Sequence, residues 1–245
     1  MTYVTDHSRL RDVVHATLNT EADALLHLSK FPPHQLSAAA HLIFASPGAV
    51  VVAGVGKSGH IGRKIAATFR SLGKRAVFLH AAEASHGDLG MVDNVGVVLV
   101  LSNSGETTEL GDLLAYCREY NVPVIGLTAS AESTLGRASQ IVIAHGKLHE
   151  ACLHGLAPTT STTVALAIGD ALAVGVSHLT KLEPQDFRRY HPGGKLGARL
   201  LTVRDLMHKG DALPIVVPDL PMKEVVITMS SKGFGAAIIC EGEAV

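Results

Sequence analysis

Short, unbroken apolar runs alternate with helically spaced apolar residues along most of the chain. Val50, Val51, Val52 and Ala53 form a strand with no polar position on either face. Ile61, Ile65, Ala66, Phe69 and Leu72 then recur at helical spacing. The same alternation continues downstream: strands over 75–79, 95–101, 123–127 and 141–143, with a helix carrying Leu110, Leu113, Leu114 and Cys117 and a short one over 135–138. Strands that are apolar throughout need cover on both faces, so this part of the chain predicts a five-stranded parallel sheet between helical layers. Before it, Leu10, Val13, Val14, Thr17, Leu18, Ala24, Leu25 and Leu28 mark a helix over 6–29 that Pro32-Pro33 ends. A second helix is expected over 34–45. These two serve packing or subunit contact. After a polar loop over 144–157 comes a long helix over 158–182, with proline in its first turn and a Thr/Ser run able to cap it. From Val203 the pattern changes to a strand (215–217), a helix (222–232) and a strand (235–239). This second module stops before it can close, and about 40 residues are marginal as an independent domain. The expected division is therefore 1–202 and 203–245, with the chain truncated inside its second module.

Between the first strand and its helix stand Gly54, Gly56 and Gly59. A strand, glycine turn and helix present free backbone N–H groups to an anion, so phosphate binding is the first inference. Gly54-Val-Gly56-Lys-Ser-Gly59 fits a dinucleotide fingerprint, but the next strand ends at His80 rather than at an acid for the ribose. A P-loop would need a glycine where Val51 stands. What remains is a short cradle of Gly56, Lys57 and Ser58, or a plain turn with its lysine in water. A second cluster, Ser102, Ser104 and Thr107 around Gly105, occupies the equivalent place after the third strand. Adjacent units of a parallel sheet bring both helix starts to one edge. There the hydroxyls either hold phosphate or cap their helix. Glu109 lies one turn further on, Glu150 precedes the long helix, and His191 opens a His-Pro-Gly-Gly194 turn.

Composition narrows the setting. The 245 residues are 47% apolar with a net charge of −1 and dispersed basic residues, which recommends no nucleic-acid partner. Three isolated cysteines without a C-x-x-C pair suit a reducing compartment. The first six residues lack the pattern of a signal peptide, and the most apolar run, 164–176, is short and carries Asp170, against a membrane span. A cytoplasmic protein is expected. His145, His149 and His154 match no standard metal spacing.

Five segments together carry a resemblance: Gly56-Lys-Ser-Gly-His-Ile-Gly62, His80-Ala-Ala-Glu-Ala-Ser-His-Gly-Asp-Leu-Gly90, Ser102-Asn-Ser-Gly105, Gly155-Leu-Ala-Pro-Thr159 and His191-Pro-Gly-Gly194. From about residue 10 onward the chain resembles the D-arabinose-5-phosphate isomerases, which join a sugar isomerase (SIS) domain to two CBS repeats. The resemblance implies an α/β fold, a three-layer α-β-α sandwich with a five-stranded parallel sheet, followed by a partial first CBS repeat. It implies interconversion of D-ribulose 5-phosphate and D-arabinose 5-phosphate through an enediol, the entry to the octulosonate sugar of lipopolysaccharide. By position it places catalytic roles on Lys57, Glu109, Glu150 and His191. Phosphate donors fall on Ser102, Ser104 and Thr107. Substrate segments fall on Gly73-Lys74, His80, His86, the stretch 112–121 beginning at Asp112, and Gly146-Lys147-Leu148. No cofactor is implied, though an inhibitory zinc would sit at His80, and relatives form homotetramers, so His191 would serve a neighbour's site. His149 and Leu153-His154 depart from the family pattern beside Glu150. A sugar-phosphate-sensing regulator is the alternative function, and an NAD-dependent oxidoreductase a distant third. Retention of every acid/base position favours the enzyme, since a sensor needs only the cradle.

Overall fold

The computed structural model describes residues 7–93, 96–191 and 201–241, with side chains from residue 9. Asp6 and Val95, placed above at the starts of a helix and a strand, lie outside the described residues, as do Pro192-Gly-Gly194 and 242–245. The chain divides into two compact units, 1–191 and 192–245.

In the first unit, α1 (His7–Lys30) and α2 (Gln35–Ala45) lead into β1 (Val50–Gly54), α3 (Gly56–Ser71), β2 (Ala76–His80), a short α4 (Ala81–Ala84) and β3 (Val97–Leu101). Then follow α5 (Gly111–Glu119), β4 (Val124–Thr128), α6 (Thr134–Ala138), β5 (Ile141–Ala144), α7 (Thr160–Leu179) and α8 (Pro184–Tyr190). The five strands are parallel in the order β2-β1-β3-β4-β5.

The two-residue period of a strand divides β1 and β3 between two cores. Val50, Val52, Val97, Leu99 and Leu101 pack under α2, α3 and α7, with Phe69, Ile65, Ile168 and Leu172. Val51, Ala53, Val98 and Val100 face the other way, onto Leu110, Leu113, Cys117 and Leu135. All of β1 and β3 is buried, which is why these strands carry no polar alternation. Full burial of each valine stabilises by about 1.5–3 kcal/mol. The helix α7 passes the length and composition test for a membrane span, but Val164, Ile168, Leu172 and Val176 are spent on this core.

The sequence-based boundaries shift in two informative places. The helix after β1 begins at Gly56, ahead of the apolar periodicity that starts at Ile61, and Gly59 and Gly62 are interior helix positions that let α3 lie close to the sheet. A Cβ on Gly62 would stand 3.1 Å from the Phe78 ring. The segment after β2, expected to be irregular, forms α4 and a 3₁₀ turn (Asp88–Val92), and α8 was not anticipated.

The second unit contains α9 (Val203–Leu206), β6 (Ile215–Val216), α10 (Met222–Lys232) and β7 (Ile238–Ile239), with β6 and β7 parallel. Val217, Val226, Ile227 and Ile239 are exposed.

Candidate functional site

The strand order reverses between β1 and β3, since β2 lies on one side of β1 and β3 on the other. This is the position where parallel sheets open a ligand crevice at their carboxyl edge. After β1, Val55 is extended and α3 starts directly at Gly56, whose φ is +56°. Lys57 is exposed and Ser58 half-buried in that first turn. After β3, the loop folds on its own hydroxyls. Ser102 Oγ lies 2.7 Å from Thr107 Oγ1 and accepts the Gly105 N–H at 3.0 Å, while Ser104 Oγ accepts the Glu106 N–H at 3.2 Å.

The loop is clamped from outside as well. Gly105 O accepts the Leu135 N–H at 2.9 Å. The Glu106 carboxylate accepts the Thr134 N–H at 2.9 Å and the Thr134 hydroxyl at 2.6 Å. The Thr134 side chain, then its backbone N–H, hold the Glu106 carboxyl below the usual carboxylate value. No local pattern marks this role, because its partner stands on α6, nearly thirty residues away.

Glu150 lies before α7 and is held by that helix's start. Its Oε2 accepts Thr159 N–H at 2.7 Å, Ser161 N–H at 3.2 Å and the Thr159 hydroxyl at 3.2 Å. Burial works to raise its pKa, but the donors of Ser161 and Thr159 outweigh it and hold the carboxyl below its ordinary value. A helix N-terminus favours the same charged form. His145 has its Nδ1 2.8 Å from Gly146 O, and burial lowers its pKa, which favours the neutral ring.

A cavity of about 40 Å³ joins these parts, lined among others by Ser58, Ser102, Asn103, His145, Ser161 and Thr162. A far larger open groove, about 730 Å³, lies between α5 and α6 beside Arg118, Asn121 and Arg137. It contains none of the cradle hydroxyls.

Other expected residues share the carboxyl edge. Glu109 is exposed on the 3₁₀ turn after Thr107 and accepts the Thr108 hydroxyl at 3.1 Å. His80 ends β2, with a buried Nδ1 that has no partner among the described residues. His86 is exposed, and Asp112 opens α5, accepting the Ser85 hydroxyl at 2.5 Å. Gly146 and Lys147 are exposed after β5, whereas Leu148 packs on the core. Among the described residues no three His, Cys, Asp or Glu side chains are grouped to hold a metal.

Three expected residues lie elsewhere in this chain. Gly73 and Lys74 follow the far end of α3, and Lys74 Nζ donates to Ser46 O at 2.5 Å, ahead of β1. Burial, then the neighbouring Arg75, lower the Lys74 pKa. His191 caps α8, stacked 4.0 Å from the Phe187 ring with its Nδ1 3.0 Å from Phe187 O. The adjacent Tyr190 packs near Gly73. The sixteen residues of α3 span about 24 Å. They therefore separate Gly73, Lys74 and His191 from the cradle at the other end of the same helix.

Residues 43–175 match the SIS domain family. The chain is 43% identical over 225 residues to the arabinose 5-phosphate isomerase KdsD of Yersinia pestis, covering 91% of this chain and 69% of that protein. It is 42% identical over 234 residues to the KdsD of Pseudomonas aeruginosa, covering 94% of this chain and 72% of the relative. The structure of E. coli CFT073 c3406 in complex with arabinose 5-phosphate superposes with a TM-score of 0.74 and 37% identity, over 77% of this chain and all of that one. A hydroxyl cradle and an ionised carboxylate at one sheet edge, with this degree of likeness, give a single answer: the chain belongs to the arabinose 5-phosphate isomerases of the SIS-domain family.

Proposed function

We propose that this chain interconverts D-ribulose 5-phosphate and D-arabinose 5-phosphate by moving a proton between C1 and C2 through an enediol. The observation that carries the reading is one cavity lined both by Ser58 and Ser102 of the cradle and by Ser161, whose backbone N–H holds the Glu150 carboxylate at the start of α7. Ser102, Ser104, Thr107, Ser58 and Lys57 hold the phosphate, in ground and transition states alike. Glu150 serves as the base, with Glu109 and His191 as further proton carriers. A regulator that only senses a sugar phosphate needs the cradle but not a carboxylate kept charged by three donors. The test is a coupled assay for arabinose 5-phosphate formed from ribulose 5-phosphate, run with and without EDTA. Turnover is expected in both, with added zinc inhibiting at His80, whose Nδ1 is unpaired. Turnover that EDTA abolishes and Mg²⁺ restores would refute the metal-free route.

The site is completed by other subunits in this reading. His191 and Gly73-Lys74 act across the interfaces of a homotetramer, and the exposed Leu10, Val14 and Leu18 of α1 supply apolar surface for it. Co-refolding His191→Asn with Glu150→Gln, each inactive alone, should restore part of the activity in mixed tetramers. Mixtures no more active than their components, or an active monomer by light scattering, would contradict this arrangement. The region 203–245 is read as most of a first CBS repeat appended to a cytoplasmic SIS enzyme of residues 1–202.

A further inference from the structure

We propose that Ser161 is a substrate-binding residue, its hydroxyl donating a hydrogen bond to the sugar oxygen beside the carbon that loses its proton to Glu150. The inference rests on the isomerase reading above and deepens it.

Five hydroxyl side chains stand in a row at the start of α7, from Thr159 to Thr163, and four are engaged. Thr159 donates to Glu150 and accepts from the Ala151 N–H, which Thr160 also receives at 3.1 Å. Thr162 donates to Thr159 O at 2.7 Å and Thr163 to Glu21 on α1 at 3.1 Å. Ser161 is 3% exposed and its Oγ makes no hydrogen bond of good geometry among the described residues, although it stands close enough to the Glu150 carboxylate to help hold that group's pKa down. A buried hydroxyl left unpaired is costly, and native proteins seldom keep one without a use.

Its surroundings define the use. Ser161 lines the cavity that Ser58, Ser102 and Asn103 enter from the phosphate side. Its own N–H holds Glu150. Ser161 thus stands between anchor and base. About 40 Å³ accommodates one or two water-sized groups, not a whole sugar phosphate, so a single oxygen-bearing end of the sugar inserts there. Removing a proton next to a carbonyl builds negative charge on the carbonyl oxygen. A donor fixed at a helix N-terminus meets that charge as it forms. The need is acute here, because a carboxylate held below its ordinary pKa is a weak proton acceptor, and the carbon acid must be strengthened instead.

The test is Ser161→Ala in the full-length chain. Its kcat for arabinose 5-phosphate should fall about 10²-fold, the lower end of what removing one oxyanion donor does. Calorimetric binding of inorganic phosphate should not move. The acid limb of the pH–rate profile should shift upward, because the Ser161 side chain helps hold Glu150 low, and the loss of kcat should persist on the plateau above that limb. The melting temperature should stay nearly level, because Ser161 Oγ has no hydrogen bond of good geometry to lose. Ser161→Cys, which keeps the volume and a weak donor, should lie between the two. Wild-type kcat in Ser161→Ala would overturn the inference, as would an equal loss of phosphate binding, which would put Ser161 in the cradle. A kcat that recovers fully once the pH is above the displaced acid limb would overturn it in favour of an effect on Glu150 alone. A native chain that fails to turn over arabinose 5-phosphate refutes the isomerase reading, and the inference with it.

Discussion

Glu150→Gln should lower kcat by about 10²–10⁴-fold, the usual contribution of a general base, while leaving KM for arabinose 5-phosphate and the fold nearly unchanged. The glutamine carbonyl can accept the same three donors from Thr159 and Ser161 that Glu150 Oε2 accepts. What the substitution removes is the charge and the ability to take a proton. Loss of a favourable charge at the start of α7 lowers stability by only about 0.3–1 kcal/mol. Solvent deuterium gives a second readout, since an enediol route washes label into C1 or C2 of recovered substrate and the variant should not. Near-normal turnover would remove Glu150 from the chemistry and leave the sensing reading ahead. Lost binding together with lost turnover would make it a sugar ligand.

The pH dependence follows from the same donors. Glu150 has a lower pKa folded than unfolded, where the ordinary value is 4.5. Its contribution to stability is therefore fully present above that value and disappears as pH falls through the folded pKa. The acid limb of kcat should accordingly lie below the usual carboxylate range. Stability curves of wild type and Glu150→Gln should run parallel above pH 4.5 and converge beneath it. Curves that diverge in acid would mean that burial, not the donors of α7, governs this carboxyl.

Local rules recovered the sheet and left the site half-assembled. The β-branched run Val50–Ala53 and the apolar 97–101 segment admit only strands buried on both faces, and both are fully buried. Ser102, Ser104 and Thr107 stand out in the sequence as a hydroxyl cluster beside a second glycine turn, with helix capping as their other reading. Glu106, Ser161 and His145 received no role. Glu106 works through Thr134 on another helix, and the hydroxyl row 159–163 reads as capping until each partner is known. The position of His191 depends on α8, whose seven residues are too few for a periodic signal. The glycines after β1 were read as one open turn. Only Gly56 has a positive φ there, whereas Gly59 and Gly62 allow close packing.

Gly105→Ala should damage the cradle far more than Gly56→Ala, although both glycines have positive φ. At Gly56, with φ +56°, no atom lies within 4 Å of a new Cβ, so alanine adds only left-handed strain of about 1–2 kcal/mol. At Gly105, with φ +71°, the new Cβ would also collide with Ser133 and with the Thr128 hydroxyl. Overpacking of that kind adds about 1–3 kcal/mol, so the total loss is about 2–5 kcal/mol. The loop cannot relieve it by moving without surrendering its function. Gly105 N–H holds Ser102 Oγ, and Gly105 O receives Leu135 N–H. Displacing the residue breaks both bonds and separates Ser102 from Thr107. Inorganic phosphate should bind at least about tenfold more weakly, the equivalent of 1.4 kcal/mol, with KM raised as well as kcat lowered. Gly56→Ala should bind phosphate within a few-fold of wild type and lose less melting temperature. Equal effects in the two variants, or native phosphate affinity in Gly105→Ala, would mean that the hydroxyl loop after β3 is not where the phosphate sits.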